Sequence, residues 1–241
     1  MEWVIVTGDS KGLGHEISKK ILETTNLGVI GISRSSTPGR LELQKKFPNR
    51  YEYIHFDLSE IHDIKKLFVN QIKKFERIVG LVNNSALAYD DIASNMKYEP
   101  LLNMYNVNVF APMLLTKHVI RQMILYKIPG SIVNISSISA HTGYKGLAMY
   151  ASSKGAIEAF SKNIAREWGQ KGIRSNCVVP GFMETGMSES LNNEQKQRIY
   201  NRTSLKKETD IESVAEAVVF LLTDKSKSIT GTILHVDNGT I

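Results

Sequence analysis

Seven short runs of β-branched and aliphatic residues, set between longer segments of helical spacing, constrain this chain more than any other feature. The runs are Val4–Val6, Val29–Ile32, Tyr53–Phe56, Ile78–Val82, Ile132–Ile135, Ser175–Val179 and Ile233–Val236. Apolar runs of this length, without a polar alternate, are what a strand covered on both faces requires. Between them apolar positions recur at three and four, most clearly at Ile61, Ile64, Leu67, Phe68 and Ile72. Similar segments run from Leu13 to Thr24, Leu101 to Tyr126, Tyr150 to Gln170 and Ile211 to Leu222. Strands alternating with helices through short connections predict an α/β fold. The expected form is a doubly wound parallel sheet of seven strands with helices on both faces, in one domain spanning 1–241. The polar stretch 184–209 stands out as the least regular part, readable as a loop or lid over a site or as a solvated surface helix.

Composition excludes several classes. With 241 residues, 42% hydrophobic and 22% charged, the chain has neither the polarity of a disordered segment nor a repeat period. A single cysteine, Cys177, rules out an internal disulfide framework and reads as a small core residue. No apolar run approaches the length of a membrane span, and the start Met1-Glu2-Trp3-Val4 lacks a signal-peptide pattern, so a cytoplasmic protein is expected. The net charge of +6 comes from scattered residues rather than an arginine-rich, aromatic-interleaved stretch. It fits a phosphorylated cofactor or an acidic partner better than nucleic acid. None of the six histidines has metal-ligand spacing, and His141 reads as a loop histidine at most lining a pocket mouth.

Three motifs carry chemistry. The turn Thr7-Gly8-Asp9-Ser10-Lys11-Gly12-Leu13-Gly14 follows the first strand and opens the first helix. Glycines there let the backbone approach a pyrophosphate, and the helix N-terminus offers free N–H groups. The second strand then ends Gly31-Ile32-Ser33-Arg34-Ser35, with no acidic residue to hold the ribose hydroxyls of NAD. Arg34, with Ser33 beside it and Lys11 in the glycine turn, suits a 2′-phosphate instead, which points to NADP(H). Third, Ser137 ends the fifth strand and Tyr150-Ala151-Ser152-Ser153-Lys154 follows on a helix. Tyr150 and Lys154 share a face one turn apart, so the lysine cation together with a positively charged nicotinamide ring is expected to lower the pKa of the phenol, ordinarily near 10. Ser137 is placed to bond a substrate oxygen as the tyrosine gives up its proton.

Taken together these residues resemble the classical short-chain dehydrogenases/reductases over essentially the whole chain, which implies a Rossmann-like fold. Thr7–Gly14 resembles the family's TGxxxGxG, Asn83-Asn84-Ser85-Ala86 its NNAG, and Pro180-Gly181-Phe182-Met183-Glu184-Thr185 its PG motif. The resemblance implies Asn108, Ser137, Tyr150 and Lys154 as the catalytic set. Tyr150 would be the general acid, Lys154 would bind the nicotinamide ribose, and Asn108 would hold a water in a proton relay. It also implies a cofactor site of Gly8, Ser10, Lys11, Gly12, Leu13, Gly14, Ser33, Arg34, Asp57, Leu58, Asn83, Ser85, Pro180, Gly181 and Thr185 beside Tyr150 and Lys154, with no metal. Within the family the chain is most similar to bacterial 3-oxoacyl-[acyl-carrier-protein] reductases. NADPH-dependent reduction of a 3-oxoacyl thioester, small or carrier-bound, by a homotetramer is the implied function. Lys127 and Lys171 lie where an acidic carrier might be expected to dock.

The same catalytic residues also serve reduction of a sugar, polyol or secondary-metabolite ketone, and a non-catalytic NADP-binding scaffold is a third reading. Two departures from the family stand out. Ala86 replaces a glycine, costing about 1 kcal/mol if that position needs a positive φ or a close approach of the cofactor. Asn238 stands where two glycines are usual.

Overall fold

A computed structural model of the chain describes residues 1–184 and 192–241. The seven strands are β1 (Trp3–Thr7), β2 (Gly28–Ser33), β3 (Tyr51–His55), β4 (Ile78–Asn83), β5 (Gly130–Ile135), β6 (Ile173–Pro180) and β7 (Ile233–Val236). They form one parallel sheet in the order β3-β2-β1-β4-β5-β6-β7. Neighbouring side chains of β1 point to opposite faces: Ile5 joins one apolar layer, while Val4 and Val6 join the other. That division explains why β1 and β2 read as unbroken apolar runs.

The first layer is covered by α3 (Ile64–Leu67, continued by a π-helical turn to Ile72), α5 (Ala111–Tyr126) and α6 (Ala148–Trp168). The second lies under α1 (Gly12–Thr24), α2 (Pro38–Lys46) and α8 (Ile211–Leu222). Residues such as Ile5, Ile17, Ile64 and Val218 are fully buried, each contributing about 1.5–3 kcal/mol of transfer free energy. α4 (Tyr98–Tyr105) leads into α5 through a second π-helical turn, Asn106–Phe110. The described part of 184–209 contains a short helix, α7 (Asn193–Tyr200), started by a capping box between Asn192 and Gln195. α7 is tied back to Glu184 by Lys196 at 3.0 Å and by the Tyr200 hydroxyl at 2.6 Å.

Both departures are resolved by backbone geometry. Ala86 is not among the residues with positive φ, so its methyl carries no left-handed strain. Asn238 does lie there, at φ 57°, which asparagine tolerates, and its amide donates to the carbonyls of Lys207 and Glu208 at 3.1 and 2.6 Å.

Among the described residues no helix is long and apolar enough to cross a membrane, and no group of three or more potential ligands is placed to hold a metal.

Candidate active site

β1 pairs with β2 on one side and β4 on the other, so the chain reverses its direction of travel there and leaves a crevice at the carboxyl edge. The glycine turn forms one wall. Gly8 and Gly12 have φ of 71° and 57°, and a Cβ on Gly14 would overlap the Gly8 carbonyl. Thr7 and Asn84 lock this turn to the end of β4. The Thr7 hydroxyl accepts from the amides of Asn84 and Ser85, both at 3.0 Å, and the Asn84 amide donates to the Thr7 carbonyl at 2.9 Å. The Ser10 carbonyl accepts from the Thr37 hydroxyl at 2.5 Å, tying the turn to the cap of α2. Lys11 is exposed and has no partner among the described residues, whereas the Leu13 side chain is buried in the core.

Asp9 is the residue whose role the sequence did not disclose. Its fully buried carboxylate accepts from Tyr51 and occupies the space a Cβ on Gly31 would need. Burial holds the Asp9 pKa above its usual range. This acid therefore faces the core and not the crevice. At the end of β2, Ser33 is buried and Arg34 is exposed, with its guanidinium 3.4 Å from Asp57. Asp57 also accepts from the Ser59 amide and hydroxyl at 2.9 and 2.8 Å. Burial pushes its pKa up, but those bonds and Arg34 outweigh it, and the net shift is down. The Leu58 side chain belongs to the α3-side core.

Asn83 turns its side chain inward, donating to Asn134 at 2.8 Å and Thr116 at 3.3 Å, so the side chain does not reach the crevice. Pro180 ends β6. Gly181 packs so tightly that a Cβ would overlap Thr209. Thr185 lies outside the described residues.

The opposite wall is built on α6. The Ser137 hydroxyl lies near Tyr150 and exerts a small downward influence on its pKa. Lys154, only 3% exposed, donates to the Ile135 carbonyl at 2.8 Å, with its ammonium 5.5 Å from the centre of the Tyr150 ring. The expected lowering of the phenol does not appear. Burial and then the nearby Asp90 carboxylate push Tyr150 up to about 12, against a smaller downward effect of Ser137. Burial likewise brings Lys154 down to about 8. Desolvation disfavours the charged form of each residue and is the largest cause of both shifts.

Asn108, 2% exposed in the π-helical turn, accepts from the Leu87 amide at 2.8 Å. It donates to the Leu87 carbonyl at 2.9 Å and the Ser153 hydroxyl at 3.0 Å. Both side-chain amide hydrogens are thus engaged in holding the loop after β4 against α6. Asp90, in that loop, also escaped the sequence reading; its neighbour Asp91 donates its amide to the Gly146 carbonyl at 3.0 Å, four residues before Tyr150.

Lys127 and Lys171 lie elsewhere. Lys127 caps α5 just before β5, and Lys171 precedes β6, so both sit at the amino edge of the sheet, away from Tyr150 in the same chain. A cavity of about 300 Å³ between α3 and α5, lined by Lys65, Leu114, His118 and Arg121 among others, contains none of the candidate site residues.

A glycine cradle at the switch point facing a Ser–Tyr–Lys wall is the architecture of a dinucleotide-dependent oxidoreductase. The family model described as enoyl-(acyl carrier protein) reductase matches residues 8–240. A 3-oxoacyl-[acyl-carrier-protein] reductase FabG from Buchnera aphidicola is 32% identical, covering 98% of this chain and 95% of the relative. Its namesake in Chlamydia trachomatis is 33% identical over the same shares of both chains. The chain belongs to the short-chain dehydrogenase/reductase family of oxidoreductases. Among solved structures, 4-hydroxyisoleucine dehydrogenase complexed with NADH superposes with a TM-score of 0.92 at 25% identity, over 100% of this chain and 98% of that one. A protein provisionally named 2-deoxy-D-gluconate 3-dehydrogenase, from Agrobacterium tumefaciens and solved with NADP, gives 0.90 at 23%, over 99% and 96%. At that identity the likeness speaks for the fold.

Proposed function

We propose that this chain is an NADPH-dependent reductase converting a carbonyl to a secondary alcohol, with a 3-oxoacyl thioester as substrate. The observation that carries the reading is the Tyr150–Ser137 hydroxyl pair backed by buried Lys154 at the carboxyl edge of the sheet. The cofactor fits the residues present. Gly8, Gly12 and Gly14 leave a backbone floor where a Cβ would intrude, and α1 begins there with unpartnered Lys11. The acid closest in sequence to this floor, Asp9, is turned into the core, so Arg34 and Ser33 at the end of β2 favour the 2′-phosphate of NADPH over the bare ribose of NADH.

NADPH supplies a hydride to the carbonyl carbon. Ser137 donates a hydrogen bond to the carbonyl oxygen, and Tyr150, held neutral with its pKa near 12, passes its proton to that oxygen as negative charge develops. An alkoxide is a stronger base than a phenolate, so the transfer runs downhill. The Lys154 ammonium, anchored on Ile135, stabilises the phenolate left behind. Asn108 holds the loop after β4 in place.

The relatives named 3-oxoacyl-[acyl-carrier-protein] reductase and the net charge of +6, suited to an acidic carrier, support the thioester. A polyhydroxylated substrate is the second reading, favoured by Asp90, whose carboxylate lies near enough to Tyr150 to raise its pKa and could accept hydrogen bonds from substrate hydroxyls. The test is loss of NADPH absorbance with acetoacetyl-CoA, run beside NADH and beside Tyr150→Phe. Turnover with NADPH that the variant loses is expected. NADPH binding without turnover overturns the thioester and moves the search to sugar ketones. The reading includes a homotetramer, supported by exposed Tyr98, Leu102, Phe110 and Leu125 on and around α4 and α5. Light scattering is expected to give four times 27.0 kDa, and a monomer overturns it.

A further inference from the structure

Tyr150, Lys154 and Glu158 recur every four residues along α6 and so share one face. Each meets the segment that ends β5. Tyr150 lies beside Ser137, and Lys154 donates to the Ile135 carbonyl. Glu158 Oε1 accepts from the Ser136 hydroxyl and lies 2.9 Å from His141 Nε2. One carboxylate oxygen therefore grips the residue just before Ser137 and another four residues beyond it. Between these grips lies the tight turn Ile138–Ala140, whose first amides include Ser139 N–H, donating to the Ser137 hydroxyl at 3.2 Å.

Glu158 is 7% exposed, and His141 is its one ion-pair partner among the described residues. Burying a carboxylate is costly unless its oxygens are bonded, and here both bonds go to the turn that presents Ser137. His141 is backed in turn by the His235 ring, edge-on at 4.8 Å, and His235 lies 3.8 Å from Asp237. The turn is thus held from α6 on one side and from the end of β7 on the other.

We propose that Glu158 is a positioning residue: by clamping Ser136 and His141 it fixes the Ser137 hydroxyl against Tyr150. This rests on the reading of Ser137 and Tyr150 as the reacting pair. Removing the clamp leaves Ser137 in sequence but lets its hydroxyl drift. A displacement near 1 Å costs about 100-fold in rate.

The test compares Glu158→Ala, Glu158→Gln, Ser137→Ala and the Ser137→Ala/Glu158→Ala double variant in NADPH-dependent reduction of acetoacetyl-CoA. NADPH affinity and thermal melting are measured on each, and a crystal structure is determined for Glu158→Ala. Glu158→Ala is expected to lower kcat by about 10- to 100-fold with NADPH affinity kept within about twofold. Glu158→Gln, which keeps an acceptor at Oε1, is expected to recover most of that loss. In the Ser137→Ala background, adding Glu158→Ala should change kcat by less than about threefold, because the two residues act as one unit. Wild-type kcat in Glu158→Ala beside an impaired Ser137→Ala overturns the clamp alone. Unimpaired Ser137→Ala overturns the site reading and the clamp with it. Whatever the turnover, a Ser137 hydroxyl in the same place relative to Tyr150 in Glu158→Ala and wild-type crystals overturns the proposal. Should Glu158→Ala fail to fold, Ser136→Ala with His141→Asn releases the same two grips and carries the same expectations.

Discussion

The two walls of the crevice are made of different material. On the β1–β2 side the chain builds with backbone: positive-φ glycines, a Gly14 that touches the Gly8 carbonyl, and a turn locked by Thr7 and Asn84. Its charged groups, Lys11 and Arg34, are exposed and stand at the rim. On the β5–α6 side the chain builds with buried polar side chains, Lys154, Glu158 and Asn108, each hydrogen-bonded, and burial shifts the ionisation of Tyr150 and Lys154. The first wall provides shape through its backbone, with Asp9 as its one buried acid among the residues of the turn. The second holds charge out of water, so its chemistry depends on every bond being made. Adding a methyl group should break the first wall, and removing a polar atom should break the second.

The largest effect is expected on the second wall. Tyr150→Phe removes the proton donor and should lower kcat by about 100- to 10,000-fold while NADPH affinity stays close to wild type, read by fluorescence titration. A parallel loss of affinity would erase the distinction between the walls. Gly14→Ala should do the reverse. Its methyl overlaps the Gly8 carbonyl, and a strain of about 1–3 kcal/mol weakens NADPH binding by about 10- to 100-fold. Gly155→Ala on α6, where a Cβ meets nothing within 4 Å, is the matched control. Arg34→Asp, at the rim, should shift the NADPH-to-NADH ratio of kcat/KM by about tenfold, the worth of one charged hydrogen bond. An unmoved ratio would show that the rim does not select the cofactor. The mildest effect is in pH. Lys154 is charged below about 8 and loses its proton as pH rises through that value. Reduction should therefore fall to about half near pH 8, and a profile flat to pH 9.5 would separate Lys154 from the chemistry.

The first wall was largely legible in the chain. A glycine-rich turn between an apolar run and a helical segment has few uses, and the spacing of Gly8, Gly12 and Gly14 places it. The absence of an acid after β2 was equally readable. What escaped there was Asp9, whose partner Tyr51 and neighbour Gly31 are distant in sequence and meet only because β3 pairs with β2. On the second wall the residue types were legible but their electrostatics were not. A tyrosine one turn from a lysine suggested a lowered phenol pKa. The outcome depended on how deeply the pair is buried and on Asp90, which lies in a loop tied to Gly146 by its neighbour Asp91. Asn108 was identified, yet its bonds to Leu87 and Ser153 show its side chain committed to structure. For Lys127 and Lys171, only the direction of the strands reveals that they lie at the far edge from Tyr150 of the same chain.

The sequence by itself determined the class of fold, because strand and helix periods are local properties of the chain and their alternation admits one main architecture. It also determined which residue types stand at the strand ends. Only the tertiary structure decided ionisation, which side chains face the crevice and which carboxylate grips the turn around Ser137. Those properties depend on desolvation and on contacts between residues tens of positions apart, which no local pattern records.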